Sequence, residues 1–183
     1  MRKLLLISAS LLALAACTKQ SLQTTYDKQT GYIENFVRTQ MANDPTATLT
    51  RNGGAYRVIL KDTLDPTRDS LGWGQRVSLY YGCFTLQSAS LSASNLVATN
   101  LESLATQAHW TLSDASRFKL DTLTLDNTLV RGLADGLAGV QPGDEGYILF
   151  TGKYGYGKTE RGTIPALSAL AYYILIEEIL PNE

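Results

Sequence analysis

The sequence predicts an α+β fold, in which a bent antiparallel β-sheet wraps around one short α-helix and an extra helix precedes the sheet. Five apolar runs have the length and the β-branched and aromatic content of strands. They span residues 55–60, 77–84, 120–125, 146–150 and 169–176. Between the third and fourth runs, residues 127–140 place apolar side chains at helical spacing. A Pro-Gly pair at 142–143 and the glycines within 152–165 indicate a turn and a long loop.

The first 16 residues are predicted to be a signal peptide and not part of the fold. Arg2 and Lys3 are positively charged, and the apolar run that ends at Leu14 is too short to span a bilayer. Residues 14–17, Leu-Ala-Ala-Cys, resemble a bacterial lipobox with cleavage before Cys17. Lipid chains on Cys17 would hold the protein on a membrane, since each buried methylene contributes about 0.8 kcal/mol. The alternative is an ordinary secretory signal in which Cys17 is incidental.

The lipobox-like segment predicts a location in the bacterial cell envelope, with the protein tethered to the outer or inner membrane on its periplasmic side. Loss of residues 1–16 removes two of the 16 basic residues, which leaves 14 basic and 17 acidic residues and a net charge of −3. No basic cluster remains, so a nucleic acid is not an expected partner.

Cysteine and histidine usage argues against a disulfide and against a metal site. The chain has two cysteines and one histidine. If lipid occupies Cys17, Cys83 has no partner for an intrachain disulfide. Its apolar, strand-like surroundings favour a buried, inert thiol over a reactive one. His109 has no second histidine or cysteine at a metal-ligand spacing. Neither a metal nor another cofactor is expected.

Residues 17–25 predict a polar tether, and residues 26–44 predict an N-terminal helical segment. One face of that helix would carry Tyr26, Ile33, Phe36, Val37 and Met41. The Asn-Asp-Pro sequence at 43–45 ends it. Two uses of the apolar face are open. It packs on the sheet of its own chain, which we favour, or it forms a homodimer through the 26–41 helix.

The domain proper is predicted to cover residues 48–181. Two glycines at 53–54 introduce its first strand, and residues 75–84 form the second strand after a loop. The serine-rich stretch 87–95 predicts a surface bend. One or two helical turns are expected over 101–108, with Asn100 as the N-cap.

Several short motifs follow one another in the last third of the chain. They are Leu129-Val130-Arg131-Gly132, Gly136-Leu137-Ala138-Gly139-Val140, Pro142-Gly143, Tyr154-Gly155-Tyr156-Gly157 and Gly162-Thr163-Ile164-Pro165, followed by the closing apolar strand. In this order they resemble the FK506-binding protein (FKBP) family of peptidyl-prolyl isomerases. The family places there a short helix, a strand, a flap loop over the active site and a final strand. The resemblance implies an FKBP-like fold and, as partners, proline-containing segments of exported proteins.

The resemblance also implies a pocket and roles for its residues. Tyr156 would donate its hydroxyl, and the backbone N–H of Ile164 would hold the substrate carbonyl. The other pocket residues would be Tyr80, Val97, Leu129, Val130, Leu133 and Tyr172.

Some positions depart from the family's pattern. Leu133 stands where the pocket floor is usually tryptophan, Val97 and Ala98 replace a phenylalanine–aspartate pair, and Tyr172 replaces a phenylalanine. Smaller lining residues leave a wider pocket with a weaker hold on a proline ring. Two functions therefore stay open. One is a membrane-anchored isomerase and folding factor of reduced activity for exported proteins. The other is a non-catalytic FKBP-like binding module that acts as a holdase or adaptor.

Overall fold

The computed structural model describes residues 2–60, 67–112 and 115–181, with side chains described from residue 20 onwards except at residue 115. The helices are α1 (Arg2–Asn43), α2 (Glu102–Gln107) and α3 (Arg131–Leu137). The strands are β1 (Thr48–Asn52), β2 (Ala55–Leu60), β3 (Arg76–Thr85), β4 (Leu96–Thr99), β5 (Asp121–Thr124), β6 (Glu145–Phe150) and β7 (Leu170–Leu180). Short 3₁₀ turns lie at Ala93–Asn95 and Ala115–Arg117.

Within the described residues, seven strands form one sheet in which every pair is antiparallel. The strand order is β1-β2-β6-β7-β3-β4, and β5 also pairs with β3. The register of β3 shifts after Ser78 against β7 and after Cys83 against β4. Such irregularities bend a strand and increase its twist. The predicted α+β architecture, an antiparallel sheet with short helices and an N-terminal helix, is confirmed.

Two observed strands, β1 and β4, lie where no strand was predicted. β1 is polar because it lies at the edge of the sheet, where its last three residues are exposed. It reaches β2 through a tight turn at Gly53, whose φ of 57° suits a glycine. β7 is longer than the predicted 169–176, because its pairing with β3 continues to Leu180.

One face of the sheet holds the main core, with α3 packed on it. Leu137 is fully buried there. Gly132 and Gly136 let the helix approach β6 closely. A Cβ atom at either position would lie 2.2 Å from the side chain of Phe150 or Ile148, respectively. The glycine spacing in the sequence therefore sets the distance between helix and sheet.

α3 is shorter than the predicted 127–140, because both of its ends are set by local turns. At the start, the Asp126 carboxylate accepts hydrogen bonds from the backbone N–H and the hydroxyl of Thr128. Such a turn competes with helical hydrogen bonding. At the other end, Gly139 has a φ of 83°, which suits a glycine just past a helix.

The opposite face of the sheet is covered by α1. Ile33, Phe36 and Val37 are buried, and they pack in a second core cluster with residues of β2 and β6. The Phe36 ring meets the Tyr147 ring edge-on, with ring centroids 5.0 Å apart. Packing of the helix on its own sheet is confirmed. These contacts bury Ile33, Phe36 and Val37 within the chain, whereas Met41 of the same predicted face is 37% exposed. A homodimer through the 26–41 helix stays a prediction.

α1 is also longer than the predicted helical segment, since it begins at Arg2 and includes the predicted tether at 17–25. Residues 2–30 contain no glycine or proline, so no strong helix breaker interrupts them. Among the described residues there is no helix with the length and apolar content that crossing a membrane requires. Cleavage before Cys17 stays a prediction.

Candidate active site

A cavity of about 310 Å³ opens between the start of α3, strand β3 and the β6–β7 loop at residues 151–169. We call it the aromatic pocket. It is lined by Leu79, Tyr81, Cys83, Ala98, Leu123, Thr128, Leu129, Val130, Leu133, Tyr156, Ile164 and Tyr172. Most of these side chains are apolar, and a few polar groups converge among them, which is typical of a site for a small ligand or a peptide side chain.

The start of α3 supplies one wall of the pocket. Leu129 and Val130 precede the helix, and Leu133 in its first turn is only 6% exposed. The structure thus brings these three predicted residues together. The Val130 carbonyl accepts the N–H groups of Leu133 and Ala134, at 2.9 and 3.0 Å. The N–H of Val130 itself has no acceptor among the described residues.

The opposite wall contains a tyrosine and a cysteine that face each other on neighbouring strands. Tyr172 of β7 pairs with Cys83 of β3 in the strand register, and both side chains line the pocket. Burial raises the pKa of the Cys83 thiol to about 12 and also raises the pKa of Tyr172. Both groups are therefore neutral near pH 7. The predicted buried, inert thiol is confirmed.

Aromatic packing makes this wall rigid. The Tyr172 ring stacks on Phe150 with centroids 6.0 Å apart, and the Tyr81 ring lies 6.3 Å away on its other neighbour strand. Rings at such distances attract one another beyond their apolar burial. The predicted residue Tyr172 is thus held in one orientation at the pocket.

The prediction that Tyr80 faces the pocket is wrong, and Tyr81 lines it instead. On β3, Val77, Leu79 and Cys83 are buried on the pocket side of the sheet. Side chains alternate along a strand, so Tyr81 belongs to this face and Tyr80 to the other. In the sequence, the alternation of Val77, Leu79 and Cys83 indicated that Tyr81 lies on their face of the strand. An assignment that is wrong by one residue places the side chain on the opposite face.

Val97 is not among the pocket-lining residues, whereas its neighbour Ala98 is. Ala98 pairs with Cys83 and Leu96 pairs with Phe84, so Val97 is the extra residue of the irregularity between them. Val97 still packs against the main core. The pocket wall at this point therefore consists of a methyl group, and no local pattern in the sequence predicts the bulge.

Ile164 lines the pocket as predicted, and its backbone N–H is paired within the loop. This N–H donates to the Arg161 carbonyl at 2.9 Å, and the Ile164 carbonyl accepts the Arg161 N–H at 3.0 Å. The role of the Ile164 N–H as the donor to a substrate carbonyl would require this bond to open, and it stays a prediction. Among the described lining residues, the backbone N–H groups of Leu129, Val130 and Tyr156 have no acceptor.

Tyr156 belongs to the β6–β7 loop and lines the pocket as predicted. The guanidinium carbon of Arg161 lies 5.9 Å from the centre of its ring, within the range of a cation–π contact. Among the described residues, its hydroxyl has no hydrogen-bond partner. The hydroxyl can therefore donate to a ligand.

The prediction that Asn100 is a helix N-cap is wrong. Asn100 does not cap α2, whose N-cap is Leu101. Its buried side chain instead accepts the Tyr81 N–H at 2.6 Å and donates to the carbonyls of Leu79 and Lys119, both at 3.0 Å. Asn100 thus fixes the part of β3 that lines the pocket. A buried asparagine with long-range partners has the same local sequence as an N-cap, so the sequence could not distinguish the two.

A larger cavity of about 440 Å³ lies on the outer face of the sheet, beside α2 and the 91–93 turn. There the Tyr173 hydroxyl donates to the Glu145 carboxylate at 2.7 Å. The motifs singled out in the sequence line the aromatic pocket and not this cavity, and the pocket also holds the unpaired donors. We therefore take the aromatic pocket as the candidate site.

The polar groups of the aromatic pocket can donate hydrogen bonds, and its apolar walls can exclude water. Among the described residues, no group of three His, Cys, Asp or Glu side chains is placed to hold a metal ion. The arrangement suits a reaction that needs desolvation and hydrogen bonds to a carbonyl, without a nucleophile or a general base.

Comparison with known proteins gives a family and a fold. A sequence model described as FKBP-type peptidyl-prolyl cis-trans isomerase matches residues 74–177, which is more than half of the chain. No curated protein sequence matches. Among solved structures, FkpA from Escherichia coli is similar with a TM-score of 0.58 and 13% identity, over 97% of this chain and 73% of that one.

Two plant structures are similar as well. The three FKBP domains of wheat FKBP73 give a TM-score of 0.55 and 14% identity, over 73% of this chain and 51% of that one. The N-terminal domain of FKBP42 from Arabidopsis thaliana gives 0.51 and 15% identity, over 73% of this chain and 93% of that one. At these identities the three structures support the fold alone, and they confirm the predicted FKBP-like fold.

Proposed function

This chain belongs to the FKBP-type peptidyl-prolyl cis-trans isomerase family, and from that premise we propose that its aromatic pocket catalyses cis–trans isomerisation of peptide bonds that precede proline. The observation that carries the proposal is the unpaired Tyr156 hydroxyl at an otherwise largely apolar pocket. The substrates would be proline-containing segments of polypeptides. No cofactor enters the proposal.

The energetic argument concerns the rotating amide. The barrier to rotation, about 18–20 kcal/mol for a peptide bond, is the resonance energy lost when the amide twists. A twisted amide is less polar than a planar one, so it loses less when it leaves water. A pocket with apolar walls therefore binds the transition state more tightly than the ground state, which lowers the barrier.

Each lining group would have a role in this reaction. The proline ring would occupy the apolar interior between Leu133 and Tyr172. Tyr156 would donate its hydroxyl to a carbonyl oxygen of the substrate, and the Val130 N–H would donate to a second carbonyl. Leu129 and Ile164 would cover the sides and exclude water. A millionfold acceleration would require about 8 kcal/mol of differential binding. Leu133 and Ala98 fill less of the pocket than larger side chains would. We therefore expect an acceleration smaller than millionfold.

The direct test measures exchange between the cis and trans forms of a peptide with one X-Pro bond, with and without the purified protein. We expect acceleration that saturates with peptide concentration. Exchange no faster than in buffer, with a protein shown to be folded by circular dichroism, would rule out the isomerase.

A second candidate function is a non-catalytic binding module, a holdase or adaptor for polypeptides. Two observations favour it: Leu133, a leucine, lines the pocket from the first turn of α3, and the wall at Ala98 is a methyl group. If the exchange assay is negative, suppression of aggregation of an unfolded client protein becomes the relevant measurement.

Replacing Tyr156 with phenylalanine should lower kcat/KM for an X-Pro peptide by roughly threefold to tenfold, because one hydrogen bond to the substrate is lost. The matched control is Tyr154→Phe, which removes a hydroxyl from the same loop but outside the pocket lining. Equal kcat/KM values for the two variants would show that the Tyr156 hydroxyl does not act on the substrate.

We also propose that lipid on Cys17 holds the protein at the bacterial cell envelope, where it would act as a folding factor for exported proteins. The lipobox-like sequence at 14–17 supports this location. A Cys17→Ser protein is expected in the soluble periplasmic fraction, and the wild type in the membrane fraction. If the variant stays in the membrane fraction after a carbonate wash, Cys17 is not the anchor.

A further inference from the structure

We propose that Gln29 of α1 is a positioning residue for the aromatic pocket, because its side-chain amide joins the two ends of the loop that carries Tyr156. This inference rests on the proposed function, since it assigns the N-terminal helix a part in the same site. The family match begins at residue 74, so Gln29 lies outside the matched segment.

Gln29 is a buried polar residue with two long-range partners. It is only 8% exposed. Its Nε2 donates to the Leu167 carbonyl at 2.5 Å, and its Oε1 accepts the Gly152 N–H at 2.9 Å. A primary amide carries a donor and an acceptor side by side, so it can satisfy both backbone groups at once. The two partners lie at the beginning and near the end of the β6–β7 loop.

The loop has a narrow neck, formed by Gly152, Gly157 and Leu167. The Gly157 N–H donates to the Gly152 carbonyl at 2.9 Å, and the Leu167 N–H donates to the Gly157 carbonyl at 2.6 Å. Gly157 directly follows Tyr156 in the chain. Gln29 is therefore connected to the pocket tyrosine through Gly152, which is hydrogen-bonded to Gly157, the residue next to Tyr156.

The neck has a conformation that needs support. Leu167 has a φ of 61°, which is unfavourable for a leucine and persists only when surrounding contacts hold it. A Cβ atom at Gly152 would lie 2.6 Å from the Leu167 carbonyl oxygen, so the two backbone segments of the neck approach closely. A cavity of about 300 Å³ is lined by both Gln29 and Leu167. Two hydrogen bonds therefore restrain Leu167, one from Gln29 to its carbonyl and one from its own N–H to the Gly157 carbonyl.

The position of Gln29 is itself fixed by the packing of α1. Gln29, Ile33 and Phe36 are spaced by four and three residues, which places them on one face of the helix. Burial of Ile33 and Phe36 against the sheet therefore sets the depth and direction from which the amide reaches the loop. In this way the docked helix would hold Tyr156 at the distance that catalysis needs.

The test compares three variants of the full chain in the X-Pro exchange assay. Gln29→Met keeps the length and volume of the side chain and removes both hydrogen bonds. We expect it to lower kcat/KM by roughly tenfold, mainly through kcat, because misplaced groups lose transition-state contacts. Gln29→Ala should lose at least as much. Val37→Ala weakens the packing of the same helix without touching the loop, and it should change kcat/KM less than about twofold at a temperature where all variants are folded.

Hydrogen exchange supplies a readout that does not depend on activity. In Gln29→Met the amides of Gly152, Gly157 and Leu167 should exchange at least about tenfold faster than in wild type, whereas Val37→Ala should leave them protected. If the wild type is active and Gln29→Met has the same kcat/KM, Gln29 does not position the pocket. Unchanged amide exchange in Gln29→Met would overturn the support of the neck. If the wild type neither catalyses X-Pro isomerisation nor binds the X-Pro peptide, the proposed function is contradicted. Faster amide hydrogen exchange in Gln29→Met would in that case still show that Gln29 holds the neck.

Discussion

Replacing Leu137 with alanine is expected to lower the free energy of unfolding by about 2–5 kcal/mol. Leu137 is fully buried in the core between α3 and the sheet. The neighbouring Gly136 already brings the helix into close contact with Ile148, so the helix cannot move further towards the sheet to fill the space. The cavity left by the substitution would therefore persist, and its cost adds to the loss of buried apolar surface.

Urea unfolding followed by circular dichroism measures this change. The control is Leu112→Ala, since Leu112 is 39% exposed and its truncation should alter the free energy of unfolding by less than about 0.5 kcal/mol. A loss for Leu137→Ala no larger than that of the control would mean that this face of α3 does not lie in the core.

Replacing Leu133 with tryptophan is expected to raise kcat/KM for an X-Pro peptide about tenfold, the opposite direction to most substitutions in an active site. Leu133 is a buried residue that lines the aromatic pocket, whose volume of about 310 Å³ leaves room for part of an indole ring. A tenfold gain corresponds to about 1.4 kcal/mol. At about 25 cal/mol per Å², that requires roughly 60 Å² of additional apolar contact with the proline ring.

The measurement is the ratio of kcat/KM for variant and wild type, with folding checked by circular dichroism. Leu133→Phe is the second variant, because its smaller ring tests the same floor if the indole does not fit. Leu112→Trp is the control, since it adds an indole at an exposed position outside the pocket. If both pocket variants fold and neither exceeds wild type, contact at the floor does not limit the reaction.

Local sequence patterns determined much of the fold and part of the site. Helical spacing of apolar residues predicted the short helix that carries Leu133, and this residue lines the pocket together with Leu129 and Val130, which precede the helix. All five predicted strands are present in the structure. They could be predicted because an apolar, β-branched run is a local pattern of only a few residues. The same logic identified the packing face of α1 through Ile33 and Phe36.

Tertiary structure alone decided which groups of these elements meet at the pocket. Tyr81 lines it and not Tyr80, because the parity of a strand depends on its register against neighbours far along the chain. The Ile164 N–H is used in a bridge with Arg161, whereas the Val130 N–H is one of the backbone donors without an acceptor among the described residues of the pocket. Gln29 reaches partners 123 and 138 residues away. A local pattern encodes the burial and spacing of a residue, but hydrogen-bond partners at such separations exist only after the sheet and the helices have packed.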